Sequence, residues 1–424
     1  MEVCAGAGGQ ALGLELAGFD HAVAVEVSRA ACATIRANRP GWRVAEGDVT
    51  SRSTWDPAAY EGAALLAGGV PCQPFSVGGK QLGADDERDL FAWTIENLVP
   101  AVAPRAVMLE NVPGLAQARF APYRQHVLDR LASLGYAADW RILNASDYGV
   151  PQLRPRFILV AMRPEDFACF TWPEPRPGPP PTVGEALLDM MAAGGWPGAR
   201  AWAERANSVA PTLVGGSLKH GGPDLGPSRA KKAWRAMGTD PLGIADAPPS
   251  AADPVTLTPR LTALMCSVLQ GWDEGEYRWA FPGKKTPVYR QIGNAFPPPV
   301  ARAVGERIRA ALDRQRQPRP SREAASVRDP VYAVLRADGG FLTLAQIRSR
   351  LGRPVSDAAL GQHLDVLRRD FAIEEEARAA GAAYRLGRLR SLAAEEDEAA
   401  RRRARGRPRR PAPALQEAPA RRAG

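Results

Sequence analysis

The sequence predicts an α/β protein whose first domain contains a mostly parallel, Rossmann-like sheet. Over residues 1–163, short apolar runs alternate with amphipathic stretches, which is the pattern of strands and helices in layered α/β domains. A glycine-rich segment at residues 4–9 follows the predicted first strand and precedes an amphipathic stretch, as at nucleotide-binding sites of this fold class. Ligands are therefore expected beyond the carboxyl ends of the strands.

Four further apolar runs of the first domain predict buried strands. They lie at residues 22–26, 64–67, 106–109 and 157–161. Each run has the short length that is typical of strands buried on both faces of a parallel sheet.

Residues 164–258 differ in composition from the first domain. They contain proline-rich and glycine-rich stretches and four tryptophans, Trp172, Trp196, Trp202 and Trp234. This composition predicts a loop-rich inserted module. Helical periodicity returns over residues 259–313, and residues 314–328 are predicted to be a linker.

Residues 329–390 predict a small α+β domain of the winged-helix type. The pattern indicates helices at residues 330–336, 344–351 and 357–369, followed by a polar hairpin. The third helix occupies the position that contacts DNA in helix-turn-helix proteins. A helical subdomain that contacts only protein is the alternative.

Positive charge is concentrated at the end of the chain. The net charge is +9, and residues 401–424 hold nine arginines and one glutamate, or +8, which leaves +9 − 8 = +1 for the other 400 residues. We predict that residues 391–424 form a basic, disordered tail that binds a polyanion. Residues 405–408 resemble an AT-hook core, but non-specific phosphate binding is the favoured interpretation.

Composition also argues against two classes of protein. No stretch approaches the roughly 18 uninterrupted apolar residues of a membrane helix, and the N-terminus lacks a charged segment followed by an apolar one. We therefore expect a cytoplasmic protein. The five cysteines and four histidines do not cluster, so no metal site is expected.

Cys72 is the candidate nucleophile. It lies in a proline-bracketed loop just after a buried strand, so its thiol is expected at the ligand-binding edge of the sheet. A free thiol has a pKa of about 8.5 and needs a positive neighbour to become an effective nucleophile. Arg154 and Arg156 are candidates for that charge, and Glu110 supplies a carboxyl group after another buried strand.

Two further acids are candidate ligands of a nucleoside. Glu26 ends the second apolar run and is suited to ribose hydroxyls, whereas Asp48 is suited to accept from an adenine amine. Considered alone, both positions are more typical of surface carboxylates at strand ends.

Together these segments resemble the ordered motifs of the DNA (cytosine-5)-methyltransferase family. Nine segments match in the family's order over residues 1–312. They are the glycine loop, Glu26, Gly47-Asp48-Val49, Pro71-Cys72-Gln73-Pro74-Phe75-Ser76, Arg88-Asp89-Leu90-Phe91, Glu110-Asn111-Val112, Gln152-Leu153-Arg154-Pro155-Arg156, Arg260-Leu261-Thr262 and Gln291-Ile292-Gly293-Asn294-Ala295-Phe296-Pro297. The resemblance implies a class I S-adenosylmethionine-dependent methyltransferase fold, with target recognition at residues 164–258 and a return to the catalytic domain at residues 259–313.

The resemblance also implies a covalent mechanism. Cys72 would add to carbon-6 of a cytosine flipped out of the duplex. Glu110 would contact the ring nitrogen and the exocyclic amine, and Arg156 would hold the carbonyl oxygen. Arg154 would lie near the thiolate.

S-adenosylmethionine is the implied cofactor. Its site is assigned by similarity to Gly6, Gly8, Gly9, Glu26, Asp48, Val49, Pro71, Leu90 and Asn294. The family usually has an aromatic residue where Cys4 stands, and more residues before it. Either the natural chain begins upstream of Met1, or the first strand is short and cofactor affinity is reduced.

Double-stranded DNA is the implied substrate. The candidate DNA contacts are Gln73, Ser76, Lys219, Arg229, Lys231, Lys232 and Arg235. A solvated basic face is the alternative for each of those in the insertion. Resemblance to restriction-modification enzymes implies a cognate restriction endonuclease, and we expect a monomer.

Three other functions compete with this interpretation. An RNA or tRNA cytosine-5-methyltransferase would also use the basic tail, but the long insertion favours DNA. A DNA-binding regulator with an inactive enzyme body would not require the intact set of Cys72, Glu110, Arg154 and Arg156. A nicotinamide oxidoreductase would leave the segments around Cys72 and Glu110 unexplained.

Overall fold

A computed structural model describes residues 1–71, 89–215, 223–273, 275–315, 329–378 and 381–390. Cys72, Gln73, Ser76, Lys219 and the tail at residues 391–424 lie outside these described residues. Within the described ranges, no helix combines the length and apolar character that crossing a membrane requires.

A seven-stranded sheet forms the centre of the first domain. Its strands are β1 (Glu2–Val3), β2 (Ala24–Glu26), β3 (Val44–Glu46), β4 (Leu65–Gly68), β5 (Ala106–Asn111), β6 (Ala137–Asn144) and β7 (Pro155–Met162). They are arranged in the order β3-β2-β1-β4-β5-β7-β6. Strands β1 to β5 pair in parallel, and β7 is antiparallel to both of its neighbours. The predicted mostly parallel α/β sheet is therefore confirmed, and β1 is short.

Helices cover both faces of this sheet and continue into the insertion. They are α1 (Gly9–Leu16), α2 (Arg29–Asn38), α3 (Leu90–Trp93), α4 (Val99–Val102), α5 (Ala121–Ser133), α6 (Pro164–Phe167), α7 (Val183–Ala192), α8 (Ala199–Arg205), α9 (Ser228–Ala236), α10 (Ala263–Leu269), α11 (Lys285–Asn294) and α12 (Pro298–Leu312). A π-helical turn (Thr94–Leu98) joins α3 to α4.

Strand residues alternate between the two faces, as the pleat requires. Met108 of β5 packs on one face with residues of α1 and α12, whereas Val107 packs on the other face with residues of α5. Helices α1 and α12 lie so close together that a Cβ on Gly13 would be 2.3 Å from the Pro298 carbonyl oxygen. Only glycine permits this contact, and it brings the end of the enzyme body against its beginning.

The insertion packs into a second apolar core, which it shares with later helices. Trp196, Trp202 and Trp234 are buried together there, and the same core includes residues of α10 and α11. Trp172, by contrast, packs with the central sheet. Because all four indoles are buried, the tryptophans of the insertion form structure rather than an exposed stacking surface.

The C-terminal segment alternates helices and strands. It contains α13 (Pro330–Asp338), β8 (Leu342–Thr343), α14 (Leu344–Leu351), α15 (Asp357–Asp370), β9 (Phe371–Arg378) and β10 (Gly381–Leu389). The strands form an antiparallel sheet in the order β8-β10-β9. Thr343 and Ser356 cap α14 and α15 through their side chains, which explains why the sequence located both helix starts. The assignment as a winged helix stays a prediction.

This C-terminal segment packs against α5 of the first domain. Phe371 is fully buried, with its ring centroid 5.6 Å from that of His126 and 5.5 Å from that of Tyr332. The Tyr332 hydroxyl donates to Asp129 Oδ2 over 3.2 Å. The segment and the first domain therefore share one apolar core.

Candidate active site

The candidate site lies where the parallel strands β1, β2, β4 and β5 end. A large cavity of about 600 Å³ and a small cavity of about 320 Å³ lie side by side there. Both are lined by Cys4, Gly6, Glu26, Gly69, Glu110 and Asn294. The two cavities are therefore adjacent parts of one cleft at the carboxyl edge, where ligands of α/β proteins bind.

The glycine loop after β1 forms one wall of this cleft. Gly6 and Gly9 line the small cavity, and a Cβ on Gly6 would meet nothing within 4 Å, so the loop leaves open space for a ligand. Gly8 has a left-handed φ of 88° and lies beneath the Trp279 ring. Trp279 Nε1 donates to the Ala7 carbonyl oxygen over 2.9 Å, which ties residues from the far end of the enzyme body to the loop.

Glu26 is held at the end of β2 by backbone donors. Its two carboxylate oxygens accept from the N–H groups of Gly6 and Ser28, each over 2.8 Å. Burial raises the pKa of Glu26, and these N–H groups oppose that shift. Glu26 lines both cavities, so its oxygens are suitably placed to accept from hydroxyl groups of a ligand.

The other residues assigned to a cofactor are distributed around the same cleft. Asp48, Val49, Pro71 and Leu90 line the large cavity, and Asn294 lines both. Asp48 Oδ1 accepts from the backbone N–H and the hydroxyl of Thr50. A nucleoside needs hydrogen-bond acceptors for its hydroxyl and amine groups and apolar walls for its base. The carboxylates and apolar residues of this cleft therefore fit a cofactor such as S-adenosylmethionine.

Glu110 and Arg156 form a nearly buried ion pair in the large cavity. Arg156 reaches this edge because β7 runs antiparallel to β5, so its first residues lie beside the end of β5. Arg156 Nε is 2.7 Å from Glu110 Oε1, and both side chains are nearly buried. Burial raises the pKa of Glu110, with Arg156 and Arg154 opposing the shift. The pair thus places an acid and a fixed cation at one point of the cleft.

Asn111 connects this pair to the loop that leads to Cys72. Its Nδ2 donates to the Val70 carbonyl oxygen over 3.1 Å, and its Oδ1 accepts from the Val112 N–H. Asn111 is part of the Glu110-Asn111-Val112 segment identified in the sequence, but the sequence alone assigned no function to Asn111 itself. Its contacts hold the last described residues before Cys72 against the end of β5.

Arg154 has different partners from those that a role beside a thiolate suggests. The side chain is 1% exposed, and its guanidinium donates to the carbonyl oxygens of Leu213, Gly293 and Ala295 over 2.7 to 2.9 Å. Leu213 belongs to the insertion, Gly293 lies in the last turn of α11, and Ala295 directly follows that helix. The described contacts of Arg154 are therefore those of a clamp between segments, and its role at a thiolate stays a prediction.

Two buried glutamines extend this clamp. Gln152 Nε2 donates to Gln270 Oε1 over 2.7 Å, and Gln152 Oε1 accepts from the Leu213 N–H over 2.9 Å. Gln270 Nε2 donates to the Ala295 carbonyl oxygen over 2.6 Å. The sequence patterns assigned neither glutamine a role, although Gln270 directly follows an apolar helix and could have been suspected for that reason.

Helix α9 carries the predicted DNA contacts that the structure describes. Arg229, Lys232 and Arg235 are exposed, whereas Lys231 Nζ is 2.7 Å from Asp224 Oδ2. Trp234, on the opposite side of α9, is fully buried in the core of the insertion. The helix therefore presents three cations to solvent, and the only described aromatic residue on it faces inward.

Comparisons with known proteins agree with this geometry. Residues 1–310 match the family profile described as C-5 cytosine-specific DNA methylase. The Type II methyltransferase M.NaeI of Lentzea aerocolonigenes is 54% identical over 396 residues, which cover 93% of this chain and 95% of that relative. M.NgoMIV of Neisseria gonorrhoeae is 48% identical over 74% of this chain and 98% of the relative. M.Eco47II of Escherichia coli is 31% identical, with coverages of 74% and 79%.

Proposed function

The chain belongs to the family of C-5 cytosine-specific DNA methylases, and we propose that it methylates one short duplex sequence with S-adenosylmethionine through a covalent adduct of Cys72. The relatives reported above are named Type II methyltransferases. This chain is accordingly a methyltransferase of the restriction-modification type. We infer that a restriction endonuclease with the same target accompanies it, and that the enzyme acts as a monomer.

The Glu110–Arg156 pair is the observation that supports this chemistry most directly. Carbon-5 of cytosine becomes nucleophilic when a thiolate adds to carbon-6, and negative charge then develops on the ring. A carboxyl group with a raised pKa can donate a proton to ring nitrogen N3, and Arg156 can hold the carbonyl oxygen at position 2. The pair combines the two functions in one buried contact of 2.7 Å.

Cys72 supplies the covalent bond in this proposal. Its thiolate forms the sulfur–carbon-6 bond while Glu110 protonates N3. S-adenosylmethionine supplies an electrophilic methyl group to carbon-5 when bound. A base then removes the proton from carbon-5, and the sulfur–carbon-6 bond breaks to return the thiolate. N3 gives its proton back to Glu110, which restores the aromatic ring and the acid. Asn111 donates to the carbonyl oxygen of Val70, which precedes Cys72 by two residues.

The target base has to leave the duplex, because carbon-6 is inaccessible within stacked base pairs. The large cavity, of about 600 Å³, has room for a pyrimidine beside a nucleoside. Arg229, Lys232 and Arg235 on α9 are proposed to contact phosphates or base edges. The family profile describes DNA-specific enzymes, so methylation of RNA and a purely regulatory role are not favoured.

Bisulfite sequencing of DNA and RNA from cells that express the parent chain or Cys72→Ser tests the proposal. We expect protected cytosines at one short sequence in DNA from parent cells alone. Protection in RNA but not DNA would support the RNA alternative. Equal protection with Cys72→Ser would contradict the covalent mechanism.

A further inference from the structure

Two aliphatic side chains are exposed at the boundary between the first domain and the insertion. Leu153 is 46% exposed and Val214 is 38% exposed. Val214 lines the large cavity, and Leu153 directly precedes Arg154, which lines the cavity too. Leu153 and Val214 together are called the aliphatic rim below. The proposed chemistry does not use these two side chains.

Hydrogen bonds hold the aliphatic rim in this outward orientation. The Leu153 N–H donates to the Ala210 carbonyl oxygen over 2.7 Å, and the Leu153 carbonyl oxygen accepts from the Thr212 hydroxyl over 2.5 Å. Leu213 is fully buried, and its carbonyl oxygen accepts from Arg154. Burial alternates from residue to residue along both segments, as it does where one side of an extended chain faces solvent. The buried contacts of Leu213 and Arg154 therefore turn the rim towards solvent.

The proposed mechanism brings the sugar of the target nucleotide to this rim. Arg156 is proposed to hold the carbonyl oxygen at position 2 of the cytosine, and the carbon of that carbonyl is bonded to N1, which carries the sugar. The sugar therefore leaves the base on the side of Arg156. Arg156 follows Leu153 by three residues and lines the large cavity together with Val214. A base that enters this cavity from the duplex thus places its sugar beside the rim.

The chemistry of the aliphatic rim suits one kind of sugar. Leucine and valine side chains contain no hydrogen-bonding atom, so they complement the CH₂ group at carbon-2′ of deoxyribose. Ribose has a hydroxyl group at this carbon, and burying a hydroxyl group without a partner is unfavourable. The 2′-hydroxyl is also the group by which a protein can distinguish RNA from DNA at a given position.

We propose that Leu153 and Val214 select deoxyribose over ribose at the target nucleotide. This inference rests on the proposed function, in which a flipped cytosine enters the large cavity. The rim makes an apolar contact with carbon-2′, and this contact removes apolar surface of both partners from water. The selection acts on the sugar of one nucleotide and is separate from the reading of the surrounding bases.

Single-turnover methylation of two synthetic duplexes tests the assignment. Both duplexes contain the target sequence that bisulfite mapping identifies, and they differ only in having deoxycytidine or ribocytidine at the target position. We expect the parent to methylate the deoxycytidine duplex on the order of 10- to 100-fold faster, as for a buried hydroxyl group without a partner. Leu153→Asn and Val214→Thr introduce polar groups that can bind the 2′-hydroxyl, so each should reduce this rate ratio by about 3- to 10-fold.

Matched controls make the same chemical changes elsewhere on the surface. Leu242 and Val255 are 58% and 59% exposed, and neither lines the large cavity. Leu242→Asn and Val255→Thr should therefore keep the rate ratio of the parent.

The rate ratio separates sugar selection from a general loss of function. If Leu153→Asn and Val214→Thr slow both duplexes by the same factor, the rim has a structural role instead. Equal rates of the parent on the two duplexes would also overturn the proposal. No methylation of either duplex by the parent would contradict the proposed function itself, and the inference with it. Thermal melting identifies a variant that has lost its fold, and because the two substitutions lie on different segments, the other variant then decides.

Discussion

Replacing Arg154 with lysine separates two roles that this residue can have. If Arg154 supplies positive charge to a thiolate, lysine keeps that charge and much of the activity. If Arg154 clamps segments together, lysine fails, because one ammonium group cannot reproduce a planar guanidinium that donates to three carbonyls. The structure leads us to expect the second result.

The magnitude follows from the carbonyls that would be left without a donor. The Ala295 carbonyl also accepts from Gln270, so two carbonyls, of Leu213 and Gly293, depend on Arg154 among the described residues. A buried acceptor without a partner costs about 1–3 kcal/mol. Arg154→Met should therefore lower the free energy of unfolding by about 2–6 kcal/mol, and Arg154→Lys, which can restore one bond, by about 1–3 kcal/mol.

Chemical denaturation measures this loss, and cofactor binding tests its consequence. Leu213 and Gly293 line the large cavity, so displacement of their segments should raise the KM for the cofactor more than it lowers kcat. Arg163→Lys is the matched control, since the Arg163 guanidinium donates a single described hydrogen bond, to the Leu134 carbonyl oxygen. An Arg154→Lys enzyme with the stability and KM of the parent would refute the clamp.

The remaining predictions concern the chemistry and the C-terminal part of the chain. Cys72→Ser should abolish methyl transfer while DNA binding, measured by fluorescence anisotropy, survives; a 5-fluorocytosine duplex that leaves no denaturant-resistant complex with the parent would oppose the covalent step. Glu110→Gln should slow single-turnover methylation about 100- to 1,000-fold, and rates within a few-fold of the parent would show that the acid role is wrong. Because the pKa of Glu110 is raised, its protonated form persists above the usual carboxyl range, so the parent rate should fall as pH rises through that pKa; the same fall in Glu110→Gln would assign it to another group. Phe371→Ala should lower the free energy of unfolding by about 3–5 kcal/mol, measured by urea denaturation, and no change would mean that the contact with α5 is dispensable. Deleting residues 391–424 should flatten the plot of log affinity against log salt, by roughly 0.9 for each phosphate that the tail neutralises in the full chain; equal slopes would show that the tail does not bind DNA.

Sequence patterns predicted the parts of this fold that depend on local chemistry. The buried central strands appear as apolar runs, and the helices after Thr343 and Ser356 begin at side-chain caps. Strands β3 and β6 were missed because they are edge strands that carry exposed or half-buried side chains. Their sequences therefore lack a continuous apolar run.

Long-range contacts were beyond the reach of these patterns. The sequence associated Arg154 with the active-site thiol because of its motif, but its carbonyl partners lie about 60 and 140 residues away. The packing of Phe371 on His126 joins residues that no periodicity relates. Similarly, the polar lining of the small cavity comes from β1, α1 and α11, and it becomes visible only when these elements are brought together.

The close packing of α12 on α1 has a consequence for how the protein is made. A ribosome adds roughly 5–20 residues per second, so the partner of α1 follows it only after tens of seconds. During that interval the apolar side of α1, including Leu14, has no helix to cover it. The nascent chain therefore passes through a period in which its first helix and glycine loop have been synthesised but do not yet have α12 packed against them. A chain that stops before residue 298 would lack α12 entirely and could never cover this side of α1.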